Sequence, residues 1–323
     1  MIRARKFAGQ LRSYAARKAR AFVSGDENLR STRKIAEKDE LIAGLKEQLE
    51  QARTRREKRE REIVELRSRL ASGTDKAFGI QAESIVWVFC TGRSGSTWLA
   101  SMMGDVENHE MWNEPLVGAL YGEFYYVRAS HKRGGKAILG EPYKDIWLRS
   151  IRSLVLESAA ARYPDVAERG GYLVIKEPHG SVGAPLMVRA LPESRMVFLI
   201  RDPRDVAASA MDARREGGWT SKNKRWEGKE NRALANQDPD RFVKGRARVY
   251  LRDIEKAKQA YEEHTGPKSL VRYEDLRADT LGTMRRVYSE LGIEVSEGEL
   301  SRVVQKHAWE NIPEEEKGQG KFY

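Results

Sequence analysis

The chain has 323 residues, 40% apolar and 33% charged, with 59 Lys and Arg against 48 Asp and Glu for a net charge of +11. That length suits one large domain or two small ones. The single cysteine excludes an intrachain disulfide, as expected of a reducing cytoplasm. No segment reaches the roughly 18 to 20 consecutive apolar residues that cross a bilayer, and no secretory apolar region follows the N-terminus.

The positive charge is uneven. Residues 1–25 hold seven Lys and Arg and no acid, and Phe7, Leu11, Tyr14 and Phe22 fall near one face of a helix drawn through them. Residues 1–34 therefore read as a basic amphipathic segment suited to an anionic membrane or polymer surface. A solvated basic tail and an organellar presequence are the alternatives. Nucleic acid is disfavoured as a partner, because aromatic residues are not interleaved with the basic patches as stacking requires. Over residues 35–72 a heptad register follows. Ile35, Ile42, Leu49, Ile63 and Leu70 share one core position, and Leu45, Ala52 and Leu66 the other, with Arg56 and Arg59 interrupting the seam. This spacing predicts a self-associating α-helical coiled coil. The alternative is a single solvated helix held by i,i+4 charge pairs.

Residues 84–323 read as one α/β domain. Apolar runs ending at Phe89, Tyr172–Ile175, Met196–Ile200 and Ser269–Tyr273 predict strands. Helical patterns lie at Thr97–Gly104, Asp145–Arg162, Asp202–Arg215, Asp240–His264, Leu281–Leu291 and Glu297–His307. Strands alternating with helices imply a parallel sheet flanked by helices. The Gly-, Lys- and Asn-rich stretch Gly217–Asn236 lacks periodicity and reads as a surface loop able to cover an acceptor.

Two strand ends carry the chemistry. In the first, Val86-Trp-Val-Phe-Cys-Thr-Gly-Arg-Ser-Gly-Ser-Thr-Trp-Leu99, an apolar strand breaks into a small-residue loop that opens a helix, a P-loop-like cradle for an anion. Cys90 within it is expected to be a core residue. The second, Met196-Val-Phe-Leu-Ile-Arg-Asp-Pro-Arg-Asp-Val-Ala-Ala-Ser209, sets Arg201 and Ser209 around another helix start. Ligands of open α/β sheets bind at such carboxyl ends, so two anion sites there suggest a nucleotide with separate phosphates. A triphosphate loop needs G-x-x-x-x-G-K-[ST]. No Lys follows Gly95, and no acid at a neighbouring strand end is placed to hold Mg²⁺, which disfavours an ATP-dependent kinase.

Arg93-Ser-Gly-Ser-Thr-Trp98 resembles the first loop, [KR]-S-G-[ST]-T-W, of the sulfotransferases that use 3′-phosphoadenosine 5′-phosphosulfate (PAPS). Arg93 stands where many cytosolic members carry Lys. The resemblance spans about residues 85–323, with four segments in order. It implies a cofactor site made of Arg93, Ser94, Gly95, Ser96, Thr97 and Trp98, with Arg201 and Ser209 on the 3′-phosphate. It also implies Tyr273 of Tyr273-Glu-Asp-Leu276 near the adenine and Trp309 against it. The family continues into an Arg-Lys-Gly run that grips the 3′-phosphate, whereas this sequence reads Gly320-Lys-Phe-Tyr323 there. Either the sequence is truncated or the cofactor is held with fewer charges, each worth roughly 1.5–3 kcal/mol, or one to two decades in affinity.

The resemblance implies in-line sulfuryl transfer to a hydroxyl or amine, releasing 3′-phosphoadenosine 5′-phosphate (PAP) without a metal. Arg93, the loop N–H groups and the hydroxyls of Ser94, Ser96 and Thr97 would stabilise the leaving phosphate, and Lys176 the transferring group; the alternative for Lys176 is a surface salt bridge. A base must take the acceptor proton. Glu114, in Asn113-Glu-Pro-Leu116, resembles the acid of carbohydrate sulfotransferases. His179, in Lys176-Glu-Pro-His179, is close to the spacing of the cytosolic family's histidine, although its local run is one residue longer. Glu177 and Glu141 complete the set. Trp112, Tyr121, Tyr125 and Tyr126 suit either an acceptor pocket or the core. No His, Cys or Asp cluster has metal-ligand spacing. The expected protein is a cytoplasmic or membrane-peripheral sulfotransferase acting on a carbohydrate or glycolipid hydroxyl. The rival is a non-catalytic coiled-coil scaffold that keeps a nucleotide-binding domain.

Overall fold

The computed structural model describes residues 38–55, 58, 79–128, 137–214, 235 and 237–311, and the chain divides into two units, Met1–Arg67 and Ser68–Tyr323. In the first unit residues 38–55 are one α-helix. Its heptad residues Leu45 and Leu49 are 42% and 52% exposed, and Leu41 is 63% exposed. The basic segment 1–34, and Ile35, Ile63, Leu66 and Leu70 of the heptad, lie outside the described residues, as does most of the stretch 217–236.

The second unit is built on five parallel strands: β1 (Ile85–Phe89), β2 (His109–Asn113), β3 (Tyr172–Lys176), β4 (Arg195–Ile200) and β5 (Lys268–Arg272). Their order is β2-β3-β1-β4-β5. After β1 the chain moves to one edge and back, then to the other side, so the crossover direction switches at β1. A crevice for a ligand opens at such a switch.

Ten helices of the described residues flank the sheet. α1 (Ser96–Gly104) follows β1, and α2 (Val117–Gly122) with a π-helical turn, Glu123–Arg128, follows β2. α3 (Lys144–Arg162) and α4 (Pro164–Arg169) lead into β3, and α5 (Ala184–Ala190) into β4. α6 (Pro203–Asp212) and α7 (Pro239–Glu263) separate β4 from β5. α8 (Tyr273–Ala278), α9 (Thr280–Leu291) and α10 (Glu297–Lys306) close the domain.

Side chains alternate across the pleat, and the strands divide between two cores accordingly. Ile85, Trp87, Phe89, Leu173, Ile175, Met196 and Phe198 pack with α3, α5 and α7. Val86, Val88, Val174, Val197, Leu199 and Val271 pack with α1, α9 and α10. Burial on both faces is why the central strands read as continuous apolar runs. β2 escaped that pattern. It is an edge strand of sequence His-Glu-Met-Trp-Asn with only His109 buried, too polar to register as a strand. The short helices α2, α4, α5 and α8 were also unforeseen, being too brief for periodicity to show. The long helices begin within a residue or so of the pattern, because side chains fix the starts. Asp202, Asp238, Asp279 and Ser296 accept backbone N–H groups at the first turns of α6, α7, α9 and α10.

Candidate active site

The strand ends lie level along one edge. Val88 pairs with Lys176, Phe89 with Phe198, and Asn113 with Lys176. Whatever follows Phe89, Asn113, Lys176 and Ile200 therefore emerges at the same rim.

After β1 the loop turns through two left-handed residues, Arg93 (φ 73°) and Gly95 (φ 88°). Ser94 Oγ donates to Thr91 O at 2.7 Å. Gly95 caps α1 with no side-chain hydrogen bond to the first turn, so the opening N–H groups of a nine-residue helix are available to an anion. A side chain at Gly95 would meet the Tyr273 ring at 2.5 Å. That position needs glycine for its conformation and for its neighbour. Cys90 is buried and burial pushes its thiol up to about 11. It is the core residue the sequence predicts.

Arg201, one residue past β4, sends Nη1 to Arg93 O at 3.1 Å and stacks its guanidinium 4.3 Å over the Tyr273 ring. Its Nε is buried without a hydrogen-bond partner. Arg93 Nε donates to Ser209 Oγ at 3.2 Å. The two strand-end runs, separate in sequence, thus form one patch. Burial first, then Arg214, Arg201 and Arg246, lower the Arg93 pKa, opposed by Asp212. Four guanidinium groups held near one another repel, and an arriving anion relieves that repulsion.

The opposite side of the loop carries a second cluster. Lys176 is 3% exposed, and its Nζ donates to Thr97 Oγ1 at 3.0 Å and to Glu114 Oε1 at 2.9 Å. Lys176 does form a salt bridge, with Glu114, but its ammonium is buried beside the loop rather than on the surface. The other oxygen of Glu114 lies 3.9 Å from His179 Nε2, and His179 is 57% exposed. Glu114 itself sits in a left-handed turn (φ 52°), with Leu116 (φ 64°) two residues on. It stands before α2 rather than inside its first turn, which begins at Val117.

Residues 86–297 match the sulfotransferase family's model. The chain belongs to the sulfotransferase family. No curated protein matches it. Mouse sulfotransferase SULT7A1, solved in complex with PAP, is 15% identical over 74% of this chain and 69% of its own, with a TM-score of 0.45. The sulfotransferase STF1 of Mycobacterium tuberculosis H37Rv is also 15% identical, over 75% and 76%, at 0.42. The sulfotransferase domain from the curacin biosynthetic pathway is 16% identical, over 68% and 77%, at 0.42. Family membership rests on the sequence match.

Other predicted residues of this sulfotransferase are placed as follows. Ser94 and Ser96 are buried in the loop. Trp98 spends its indole N–H on His307 O at 2.8 Å and meets Tyr273 edge-on at 6.4 Å. Trp309 begins a 3₁₀ turn, Trp309–Asn311; its side chain lies outside the description. Glu141 is engaged by Tyr125 and Lys144 rather than by the Lys176 cluster. Glu177 is fully buried. Tyr125 belongs to the core, and Trp112, Tyr121 and Tyr126 pack against it. Beside α2 runs an apolar cleft of about 1070 Å³, lined by Leu120, Tyr121, Phe124, Ile138, Tyr143 and Ile146 among others. Among the described residues no cluster of His, Cys, Asp and Glu could hold a metal, and no helix is long and apolar enough to cross a membrane.

Sequence reasoning missed Arg214 and Arg246. Arg214 follows Ser209 by five residues, beside Arg215 at the end of the predicted helix, a signal that could have been used. Arg246 lies on α7, near Gly92 and His179, and no local pattern marks it.

Proposed function

We propose that this sulfotransferase moves a sulfuryl group from PAPS to a hydroxyl of a carbohydrate or glycolipid acceptor. The observation that carries the reading is Lys176. One buried ammonium touches both the loop hydroxyl of Thr97 and the carboxylate of Glu114, which joins the donor side to a base.

The residues fit the nucleotide on physical grounds. The uncapped start of α1 and the glycine cradle at Gly95 suit a 5′-phosphate. The buried, unpartnered Nε of Arg201, with Ser209 and the surrounding guanidiniums, suits the 3′-phosphate. Bound PAPS supplies the sulfuryl group and departs as PAP. Arg93, the first N–H groups of α1 and the hydroxyls of Ser96 and Thr97 stabilise charge gathering on the leaving phosphate, whereas the buried Ser94 hydroxyl, expected to join them, donates to Thr91 O and shapes the loop instead. Tyr273, under Arg201, and Trp98 and Trp309 shape the nucleotide end. Lys176 neutralises the transferring group, and Glu114 accepts the acceptor's proton. His179, exposed beside Glu114, is the alternative base; its approach to Glu114 also suits passing the proton outward. The apolar cleft along α2, the helix that follows Glu114 in sequence, favours an acceptor with a lipid portion over a free sugar.

The heptad helix with its open Leu45 and Leu49 supports self-association of residues 35–72 as a coiled coil. The basic residues 1–34 support peripheral attachment to an anionic membrane on the cytoplasmic side.

Calorimetric titration with PAP, using ATP plus Mg²⁺ as comparison, tests the donor. Micromolar or tighter binding of PAP alone is expected, and absence of PAP binding would sink the proposal. PAP binding without turnover on any acceptor would instead favour the scaffold reading.

A further inference from the structure

Glu177 sits at the end of β3, where its N–H continues the ladder to Val88 O at 3.0 Å. Its side chain is fully buried yet reaches across to another segment, where Oε1 accepts the Val117 N–H at 2.9 Å. That N–H opens α2, whose N-cap residue, Leu116, provides no side-chain cap of its own. A buried carboxylate from β3 thus supplies the acceptor that a Ser or Asp normally supplies in sequence.

The turn it caps is the one that carries Glu114. Glu114 and Leu116 both hold positive φ around Pro115. Such conformations are strained for residues with a side chain and persist only where the surroundings enforce them. Three contacts enforce this one. Glu114 N–H donates to Lys176 O at 2.9 Å, Glu177 takes the Val117 N–H, and Gly118 and Gly122 lie so close to Gly180 and Gly183 that a Cβ at either would overlap backbone. Gly180 in turn leaves room for Glu177 Oε2, which any side chain there would strike. The loop beyond is pinned from below, with Cys90 N–H donating to Ser181 Oγ at 2.9 Å.

We propose that Glu177 is a positioning residue: by capping α2 from β3 it fixes the Glu114-Pro115-Leu116 turn and so holds the Glu114 carboxylate on Lys176. The inference rests on the reading of Glu114 as base, but the geometry it predicts does not require turnover. Burial, with Glu114 nearby, raises the Glu177 carboxyl to about 7. It is therefore not a group chosen for cheap solvation.

The test uses the full chain as Glu177→Ala, Glu177→Gln, Glu114→Gln and the Glu114/Glu177 double variant. Crystal structures report the Glu114–Lys176 contact. PAP titration reports the donor site. PAP release from PAPS, with galactosylceramide micelles and with water alone, reports turnover. Glu177→Ala is expected to part Glu114 from Lys176 and to slow PAP release about 100-fold, with PAP affinity within threefold of the parent. Glu177→Gln keeps an oxygen acceptor and should recover to within about fivefold. On a Glu114→Gln background, Glu177→Ala should add little. An intact Glu114–Lys176 contact in Glu177→Ala, or a PAP affinity that falls with the rate, overturns the proposal. Unchanged PAP release in Glu114→Gln would instead remove the base assignment and leave the positional claim to the crystal structures. Should Glu177→Ala fail to fold, the glutamine variant decides, since a charge-dependent role would leave it as slow as Glu114→Gln.

Discussion

The two sides of the sheet's carboxyl rim are made differently. On the side we propose for the donor, one continuous run from β1 through the loop into α1 supplies backbone N–H groups, and the Arg201–Ser209 run closes on it through Arg93. On the side we propose for the base, Glu114 and Lys176 come from segments 62 residues apart and meet only because Asn113 pairs with Lys176 in the sheet. A site built from local backbone geometry tolerates change in its neighbours. A site built from strand register and a borrowed helix cap does not.

The comparison predicts that base-side changes act on rate and donor-side changes on affinity. The largest effect is expected from Glu114→Gln, which should lower PAP release about 10²–10⁴-fold, the usual worth of a general base, while calorimetric PAP affinity stays level. If His179→Ala alone does this, the base is His179. Next comes Arg201→Ala, which loses a charge-assisted contact worth roughly 1.5–3 kcal/mol, or one to two decades in PAP affinity. An unchanged dissociation constant would remove the second anion site. Arg214→Ala and Arg246→Ala should each weaken PAP by about tenfold or less. Their binding should also depend less steeply on salt, as expected if their charges contribute through a screened field.

Glu177 sharpens the contrast through pH. Its carboxyl titrates at about 7 in the fold against an ordinary value of 4.5. The fold therefore binds the proton more tightly than the unfolded chain between those values. Stability from this group is full below about pH 4.5 and is lost as pH rises through 7, roughly 3 kcal/mol in all. Glu177→Gln does not titrate, so melting curves should show the variant gaining on the parent from pH 5 to pH 8. A constant difference across that range would contradict the raised value. The smallest effect on the site is expected from Leu45→Asp with Leu49→Asp. These should yield a monomer by light scattering with PAP affinity unchanged, and a persisting oligomer would refute the coiled-coil role.

What was legible in the sequence follows the same division. The buried strands announced themselves because both faces of a parallel sheet are covered, and the glycine loop because only particular residues turn a strand into a phosphate cradle. Arg201 and Ser209 were visible from their place beside a helix start. The edge strand β2 was not, since half its side chains face water. Nor were α2 and its cap, because a helix capped by a residue 60 positions away leaves no local mark. The sequence by itself determined the strand–loop–helix motif after β1 and the family to which the chain belongs. Only the tertiary structure decided that Lys176 is buried between Thr97 and Glu114, that Arg214 and Arg246 come near Arg93, and that Glu177 caps another segment's helix. Those facts depend on strand order and register, which bring together side chains that no local pattern connects.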